Sequence, residues 1–368
     1  MPSEELRQLS EKGLLRQLRE VSSPHPPFIN IGGRELLNFS SNDYLGLSQH
    51  PALIEAATRA LHHYGTGSTA SRLVCGSLDL FHRLEEKIAR CKKAGAALTF
   101  ANGYATAMGT IPALVGKDDT VILDKLAHAC LIDAAKLSGA TLRVFPHNDL
   151  NKLEKLLTSS KGRTLIVTES VFSMDGDLCP LADIVSLKEK HGALLFLDEA
   201  HALGVLGPTG QGLAEQLGLQ ERIDFQMGTL GKALGSAGGS LAASRNWIDL
   251  LINKARSFIY STAPAPAQAA ASLAAFELLE TSEGGQLRQK LHDNISKFAA
   301  QSPIVPVILG DNETALAASR NLLEKGFLVP AIRFPTVPRG TARLRITLSA
   351  SQTHDQILAL QKILATLA

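Results

Sequence analysis

Short apolar runs alternate with amphipathic segments between about residues 50 and 275. Runs such as Leu194–Leu197 are wholly apolar, which is typical of strands buried on both faces of a sheet, whereas the segments between them repeat apolar positions at helical spacing. The predicted strands are 97–101, 120–124, 141–146, 164–169, 193–198, 225–229 and 239–243, and the predicted helices are 81–92, 104–114, 129–138, 150–158 and 181–191. This alternation predicts an α/β fold with a mostly parallel seven-stranded sheet.

The two ends of the chain follow other patterns. Residues 4–22 have helical spacing, three prolines at positions 24, 26 and 27 end that helix, and Gly32-Gly33 predicts a hairpin turn. After the large domain, the spacing predicts helices at 265–281, 285–300, 313–325 and 354–367 and strands at 304–309 and 342–348. We therefore predict an N-terminal segment at 1–48, a large domain at 49–276 and a small α+β domain with an antiparallel sheet at 277–368.

Composition narrows the class of protein. Of the 368 residues, 45% are hydrophobic and 20% are charged, and the 37 basic and 35 acidic side chains are scattered along the chain. This balance favours a soluble globular enzyme over a protein that binds nucleic acid or a membrane surface. The four cysteines form no C-x-x-C pair, which argues against a zinc site or a disulfide framework and favours a reducing compartment. With no secretory signal or membrane span evident, we expect a cytoplasmic protein.

Candidate chemistry centres on a lysine in a glycine-rich turn. Lys232 follows the predicted strand 225–229, and Asp198 and His201 come at and just after the end of the strand 193–198. Such a lysine can hold pyridoxal phosphate (PLP) as a Schiff base, and a buried carboxylate can keep the pyridine nitrogen protonated so that the ring accepts electrons. His201 can reach the ring hydroxyl. Alone, each of these residues has an ordinary structural interpretation, but their combination predicts a PLP site.

Other residues add to this predicted site. The backbone amides of Gly103 and Tyr104 begin a predicted helix, where a phosphate binds readily, and the hydroxyl of Thr229 can add a donor. His128 follows the strand 120–124 and can lie over the pyridine face, although a lone histidine is more often structural. Arg345 lies within an apolar strand and requires a carboxylate, either that of a substrate or that of an internal partner.

Several stretches together resemble the α-oxoamine synthase family of fold-type-I PLP enzymes. They begin near residue 36 and continue to about residue 350. The similar stretches are Asn38–Leu47, Gly65–Arg72, Asp124–Asp133, Glu169–Asp177, Leu197–Gly204, Thr229–Gly235 and Pro335–Thr347. Thr69-Ala70 departs from the Gly-Gly that is usual in the second of these stretches, which can reshape the mouth of the pocket.

The resemblance implies a role for each matching residue. It makes Lys232 the Schiff-base lysine, pairs Asp198 with the ring nitrogen, and places His201 on the ring hydroxyl. It also implies homodimers with shared sites. The remaining implied contacts are His128 and Ser173 with the ring, Asn42 and Arg345 with the amino-acid carboxylate, and Thr262 with the phosphate of the partner subunit's cofactor.

The branch of the family is suggested by two positions. Ser71 stands where a glycine-using branch carries threonine, which leaves room for the side chain of L-alanine. Arg333 stands where the glycine-using branches mostly have uncharged residues, and it can meet the far carboxylate of a pimeloyl chain. The resemblance therefore implies condensation of alanine with a pimeloyl thioester, carried by CoA or by a transient acyl carrier protein. A glycine-using synthase is the alternative enzyme, and a catalytically silent partner subunit is the alternative from another class.

Overall fold

The computed structural model describes residues 2–23 and 27–366, which divide into two compact units. Unit 1 comprises residues up to Gly46, the short stretch Met174–Gly176, and residues from Lys290 onward. Unit 2 comprises Leu47–Ser173 and Asp177–Gln289. Two of the prolines expected to end the first helix, Pro24 and Pro26, lie outside the described residues.

The bounds of the strands and helices agree closely with the sequence pattern in unit 2. The strands are β1 (Phe28–Ile31), β2 (Arg34–Asn38), β3 (Ala96–Phe100), β4 (Thr120–Asp124), β5 (Thr141–Phe145), β6 (Thr164–Glu169), β7 (Leu194–Asp198), β8 (Phe225–Thr229), β9 (Gly239–Ala243), β10 (Ile304–Gly310), β11 (Phe327–Leu328), β12 (Ala331–Ile332) and β13 (Ala342–Thr347). The helices are α1 (Pro2–Glu11), α2 (Pro51–Tyr64), α3 (Asp79–Cys91), α4 (Gly103–Leu114), α5 (Ala129–Leu137), α6 (Leu150–Thr158), α7 (Leu181–Lys190), α8 (Leu213–Gln216), α9 (Arg245–Lys254), α10 (Arg256–Ile259), α11 (Pro266–Leu279), α12 (Ser282–Ser296), α13 (Asn312–Glu324) and α14 (His354–Leu364).

Unit 2 is built on a seven-stranded sheet in the order β3-β9-β8-β7-β6-β4-β5. The strands from β8 to β5 run parallel, while β9 pairs antiparallel with both β8 and β3. The prediction of a mostly parallel seven-stranded sheet is confirmed. Because parallel strands end at one edge, the last residues of β4, β6, β7 and β8 gather there, and three of them are the carboxylates Asp124, Glu169 and Asp198.

The core of unit 2 lies between this sheet and the helices that cover it. Val121, Phe196 and Phe225 are fully buried in the sheet and belong to one cluster with Ile111 of α4 and Leu131 of α5. Strands of this kind expose no polar face, and the near-continuous apolar runs seen in the sequence follow from that burial. The described residues include no helix that is both long enough and apolar enough to cross a bilayer.

Unit 1 contains two small sheets. The hairpin of β1 and β2 turns at Gly32 and Gly33, whose φ angles are positive, and β11 adds to it in parallel. The second sheet has the order β10-β13-β12 and is antiparallel throughout, as predicted for the C-terminal part. Both small sheets belong to a unit that joins the start and the end of the chain.

The N-terminal helix is shorter than its predicted range of 4–22. Helix α1 ends at Glu11, and Gly13 follows with a φ of 62°, a left-handed conformation that stops a helix. Residues 14–23 have no regular structure although their spacing is helical, and Leu18 is fully exposed. The predicted range was too long because helical spacing continues past Gly13, where the left-handed backbone ends the helix.

Candidate active site

The turn after β8 presents Lys232 beside His201. Backbone hydrogen bonds from Gly235 to the carbonyl of Lys232 (2.9 Å) and from Ser236 to that of Leu230 (3.0 Å) fix this turn. Its left-handed φ at Gly235 (62°) is one that glycine adopts without strain. The Nζ atom of Lys232 lies 2.8 Å from Nε2 of His201, which is itself buried. The structure therefore brings together two of the residues that the sequence indicated.

Asp198 ends β7 at the same edge of the sheet. Its side chain is buried and accepts a hydrogen bond from the backbone N–H of Ala200 at 2.8 Å. Burial raises the pKa of Asp198 above its ordinary value, although the charges of Lys232 and His128 act in the opposite direction. A buried carboxylate of this kind is stabilised by a cationic partner, and a protonated pyridine nitrogen is one.

His128 lies at the start of α5. Its backbone N–H donates to Oε1 of Glu169 at the end of β6, and its Nδ1 accepts from the backbone N–H of Cys130 at 3.3 Å. Burial lowers the pKa of His128 below its ordinary value, against the opposing charge of Asp198. The imidazole is therefore neutral near pH 7, which suits a ring that stacks on an aromatic cofactor rather than one that carries a charge.

The predicted phosphate-binding residues meet at the start of α4. The side chain of Asn102 caps the helix by accepting from the N–H of Ala105 at 2.8 Å, which leaves the first amides of the helix for a ligand. A Cβ atom on Gly103 would lie 2.6 Å from Cγ2 of Thr229, so only glycine fits against the end of β8. Tyr104 is half-exposed, and its hydroxyl hydrogen-bonds to Asp133.

The hydroxyl of Thr229 is the observation that fits a phosphate group. This buried oxygen has no hydrogen-bond partner among the described residues. Buried polar groups in proteins are nearly always satisfied, so such an atom calls for a ligand. Its place beside the N-terminus of α4, where backbone N–H groups and the helix dipole favour an anion, matches the phosphate of PLP.

We predict that replacing Thr229 with valine weakens PLP binding about tenfold, since one hydrogen bond to a charged phosphate contributes about 1.5 kcal/mol. The melting temperature of the apoprotein should stay unchanged, because the hydroxyl has no protein partner to lose. Titration of apoprotein with PLP measures the effect, and Thr229→Ser, which keeps the hydroxyl, is the matched control. Equal PLP affinity in the wild type and the valine variant would contradict this assignment.

Ser173 lies in the loop after β6, and contacts of His147 hold this loop in place. Ser173 is buried, and its neighbour Phe172 packs edge-on against the ring of His147 at 4.3 Å between centroids. His147 lies 3.1 Å from Asp124 through Nδ1 and 2.7 Å from Asp177 through Nε2. Burial acts to lower the pKa of His147, but the hydrogen bonds and charges of these two carboxylates outweigh it and raise the pKa to about 10.

This arrangement predicts a pH-dependent stability. Because the pKa of His147 is raised from 6.5 to about 10, its contribution is full below about pH 6.5 and is lost as the pH rises through about 10. We expect His147→Phe to destabilise the protein by about 2 kcal/mol near neutral pH. The difference in melting temperature between wild type and variant should then shrink at alkaline pH. A difference that stays constant up to about pH 11 would show that His147 carries no charge in the fold.

Ser71 and Thr262 pair with each other. They form an isolated antiparallel bridge, and the neighbouring N–H of Ala263 donates to the carbonyl of Ala70 at 3.0 Å. The predicted roles of Ser71 toward the amino acid and of Thr262 toward a partner subunit's phosphate stay predictions.

The predicted carboxylate-binding pair lies in unit 1. Both Nη atoms of Arg345 lie 3.3 Å from Oδ1 of Asn42, and Nη1 also donates to Thr347 at 2.9 Å. The hydroxyl of Tyr44 donates to the same Asn42 oxygen at 3.2 Å. Burial raises the pKa of Tyr44 to about 12, against the charge of Arg345. Arg345 is itself buried, and its role toward the carboxylate of an amino acid stays a prediction.

Arg333 donates hydrogen bonds to two backbone carbonyls of the N-terminal segment. Its Nε donates to the carbonyl of Gly13 at 2.7 Å and its Nη2 to that of Leu15 at 3.2 Å. These hydrogen bonds attach the irregular segment that follows α1 to Arg333, within unit 1. Binding of an acyl-chain carboxylate by Arg333 stays a prediction.

Two buried acidic residues were given no role in the predicted site. Glu169 ends β6 directly beside Asp198, and its place at the end of an apolar run had put it at the edge of the sheet where ligands bind, although no role was assigned to it. Glu199 forms a fully buried ion pair with Lys92 at 2.6 Å and accepts from the N–H of Ala214 at 3.0 Å. That pair fixes the turn that carries His201. No spacing in the sequence connects Lys92 with Glu199.

Comparison with known families supports the same chemistry. Residues 34–364 match the model of the family described as aminotransferase class I and II. A curated relative from Geobacter sulfurreducens named 8-amino-7-oxononanoate synthase is 50% identical over 366 residues, covering 96% of this chain and 93% of the relative. The match therefore covers nearly the full length of both proteins.

Solved structures give the same fold. A serine palmitoyltransferase from S. paucimobilis with bound PLP-myriocin aldimine superposes with a TM-score of 0.92 at 28% identity, covering 100% of this chain and 96% of that one. An 8-amino-7-oxononanoate synthase from Francisella tularensis superposes with a TM-score of 0.77 at 29% identity, covering 90% of this chain and 97% of that one.

The chain belongs to the aminotransferase class I and II family, and within it to the PLP-dependent acyltransferases of the α-oxoamine synthase group. Its fold is that of the fold-type-I PLP enzymes. Relatives named 8-amino-7-oxononanoate synthase support a PLP-dependent condensation reaction of biotin synthesis. The predictions of family, fold and cofactor are thereby confirmed.

Proposed function

We propose that the enzyme condenses L-alanine with a pimeloyl thioester, giving 8-amino-7-oxononanoate, CO₂ and the free thiol. The observation that carries this proposal is the contact between Lys232 and His201 at the sheet edge where the buried Asp198 ends β7. The names of the relatives and the serine at position 71 support alanine as the amino acid.

Each of the charged residues has a distinct task in this proposal. Bound PLP supplies an electron sink for the charge that develops at the α-carbon of the amino acid. Lys232 holds the cofactor and then, once released, removes the α-proton of the substrate. Asp198 keeps the proton on the ring nitrogen, because its buried carboxylate is stabilised by that positive charge.

The histidines orient the cofactor and move protons. His201 hydrogen-bonds to Lys232 in the structure and so lies where it can accept or return a proton at Nζ. His128, neutral near pH 7, provides a flat face for the ring. Either imidazole can polarise the thioester carbonyl. Ser173, Gly103, Tyr104 and Thr229 complete the proposed cofactor contacts.

We also propose that Arg345 and Asn42 bind the carboxylate of the amino acid. The planar guanidinium of Arg345 can hold a carboxylate in a bidentate ion pair, and both of its Nη atoms lie 3.3 Å from Oδ1 of Asn42. Because the carboxyl group departs as CO₂ after the carbon–carbon bond forms, its ion pair with Arg345 must break at that stage. Arg333 is the proposed contact for the far carboxylate of the pimeloyl chain.

The assembly and location are proposals of the same kind. We propose a cytoplasmic homodimer in which Thr262 contributes to the partner's phosphate site. The acyl donor is CoA or an acyl carrier protein, the latter as a transient partner. Light scattering of the purified protein should give the mass of two chains.

The substrate assignment is tested by offering alanine, glycine and serine in turn with pimeloyl-CoA. Release of free thiol and the mass of the product are measured for each amino acid. We expect alanine to give the highest kcat/KM and a product with the mass of 8-amino-7-oxononanoate. The same three amino acids are then assayed with acetyl-CoA and with succinyl-CoA. Faster turnover of glycine with either of these donors would identify a glycine C-acetyltransferase or a 5-aminolevulinate synthase instead.

A further inference from the structure

A second carboxyl group lies beside the one assigned to the cofactor. Glu169 and Asp198 are register partners on the adjacent parallel strands β6 and β7, so their side chains project from the same face of the sheet. Both are buried, Glu169 with 2% and Asp198 with 4% of its surface exposed. Two ionised carboxylates that are adjacent and buried repel each other strongly, because little water is present to screen their charges.

Nothing on the surrounding strands neutralises Glu169 directly. Among the described residues, no lysine, arginine or histidine forms a salt bridge with it, and the acids Asp198 and Asp124 end the strands on either side. Burial, and next the charge of Asp198, raises the pKa of Glu169 well above its ordinary value. The positive charge of Lys232, after β8, acts to lower the pKa of Glu169.

The hydrogen bond of Glu169 shows what the residue does. Its Oε1 accepts the backbone N–H of His128, at the point where the chain leaves β4 and begins α5. The backbone of His128 is thereby held by Glu169, while Nδ1 of its ring accepts from the N–H of Cys130. This bond to Glu169 does not require a negative charge, because the carbonyl oxygen of a neutral acid or of an amide also accepts from an N–H group.

We propose that Glu169 is a positioning residue of the cofactor site, held as a neutral carboxylic acid that fixes the His128 turn and leaves Asp198 as the one negative partner of the ring nitrogen. The division of roles follows from the environment: Asp198 gains the pyridinium when PLP binds, and Glu169 does not. The inference rests on the placement of the cofactor ring at Asp198 under the proposed function, but not on the identity of either substrate.

Two variants distinguish this role from a purely structural one. Glu169→Gln has the shape of the neutral acid and keeps the accepting oxygen, whereas Glu169→Ala removes it. We expect the glutamine variant to bind PLP within about threefold of wild type and the alanine variant to bind it about tenfold more weakly, because one buried hydrogen bond is lost. The circular dichroism of the bound cofactor should be shifted in the alanine variant and restored by glutamine. Equal losses in both variants, or normal binding in both, would overturn the proposal.

A direct measurement covers the case in which the alanine variant does not fold. The infrared difference spectrum of wild-type holoenzyme minus Glu169→Gln holoenzyme, recorded near neutral pH, should contain the carbonyl stretch of a protonated carboxylic acid. A difference spectrum with only carboxylate bands would show that Glu169 is ionised and would overturn the proposal. Neither readout requires turnover, so a wrong substrate assignment would leave the result unaffected, whereas failure of wild type to bind PLP would refute the site itself.

Discussion

Replacing Lys232 with alanine is expected to lower kcat by at least about 1,000-fold, because the variant loses both the attachment of PLP and the base that removes the α-proton. Its Nζ atom lies 2.8 Å from Nε2 of His201, so the substitution also removes a hydrogen-bond partner of that imidazole. Assays of thiol release with alanine and pimeloyl-CoA measure the effect, and the absorbance of the purified protein reports whether PLP is still bound.

The matched control is Lys254→Ala, since Lys254 lies exposed in the last turn of α9. We expect its activity and absorbance to be those of wild type. The Lys232 variant should keep its fold, with an unchanged far-ultraviolet circular dichroism spectrum. A Lys232→Ala enzyme with more than about one tenth of the wild-type rate would end the assignment of this residue as the base.

Replacing Asp198 with asparagine is expected to lower kcat by about 100-fold, because a neutral amide no longer stabilises the proton on the ring nitrogen and the electron sink weakens. The loss corresponds to about 2.7 kcal/mol, the scale of a buried charge pair. The variant is nearly isosteric, so its oxygen still accepts the N–H of Ala200 and the turn after β7 is preserved.

Two further variants show whether the loss of activity in Asp198→Asn comes from the lost charge or from a change in fold. Asp198→Glu keeps the charge and should retain more activity than the asparagine variant, whereas Asp249→Asn, at an exposed position of α9, should behave as wild type. Steady-state kinetics with alanine give kcat and KM for each. An asparagine variant with normal kcat would show that the charge at position 198 does not act on the reaction.

Much of the fold was predictable because strands that are buried on both faces are wholly apolar, and the sheet of unit 2 consists mostly of such strands. Its central strands are covered on both faces, so β4, β6 and β8 were predicted with the bounds that the structure has. The helix α2 was missed, although a proline at its first residue and a cap by His50 mark its start. Helix α1 was predicted too long because the helical spacing continues past Gly13, whose left-handed backbone ends the helix.

Residues of the candidate site were predictable where they lie at the end of a strand or in the turn that follows it. Lys232, Asp198 and His201 follow strands directly, and the sheet topology brings strand ends together. Contacts that depend on distant segments were beyond the sequence pattern. The bond from Arg333 to the carbonyl of Gly13 and the ion pair of Lys92 with Glu199 join residues more than 100 positions apart, and no local spacing encodes them.

Reduction of the holoenzyme with borohydride, followed by peptide mapping with mass spectrometry, tests the central claim most directly. The reagent makes the bond between PLP and its lysine permanent, so the modified peptide identifies the residue. We predict the mass of the reduced cofactor on Lys232, in the peptide that includes Thr229, and its absence from every other lysine. A cofactor found on another lysine, or none on any, would contradict the account.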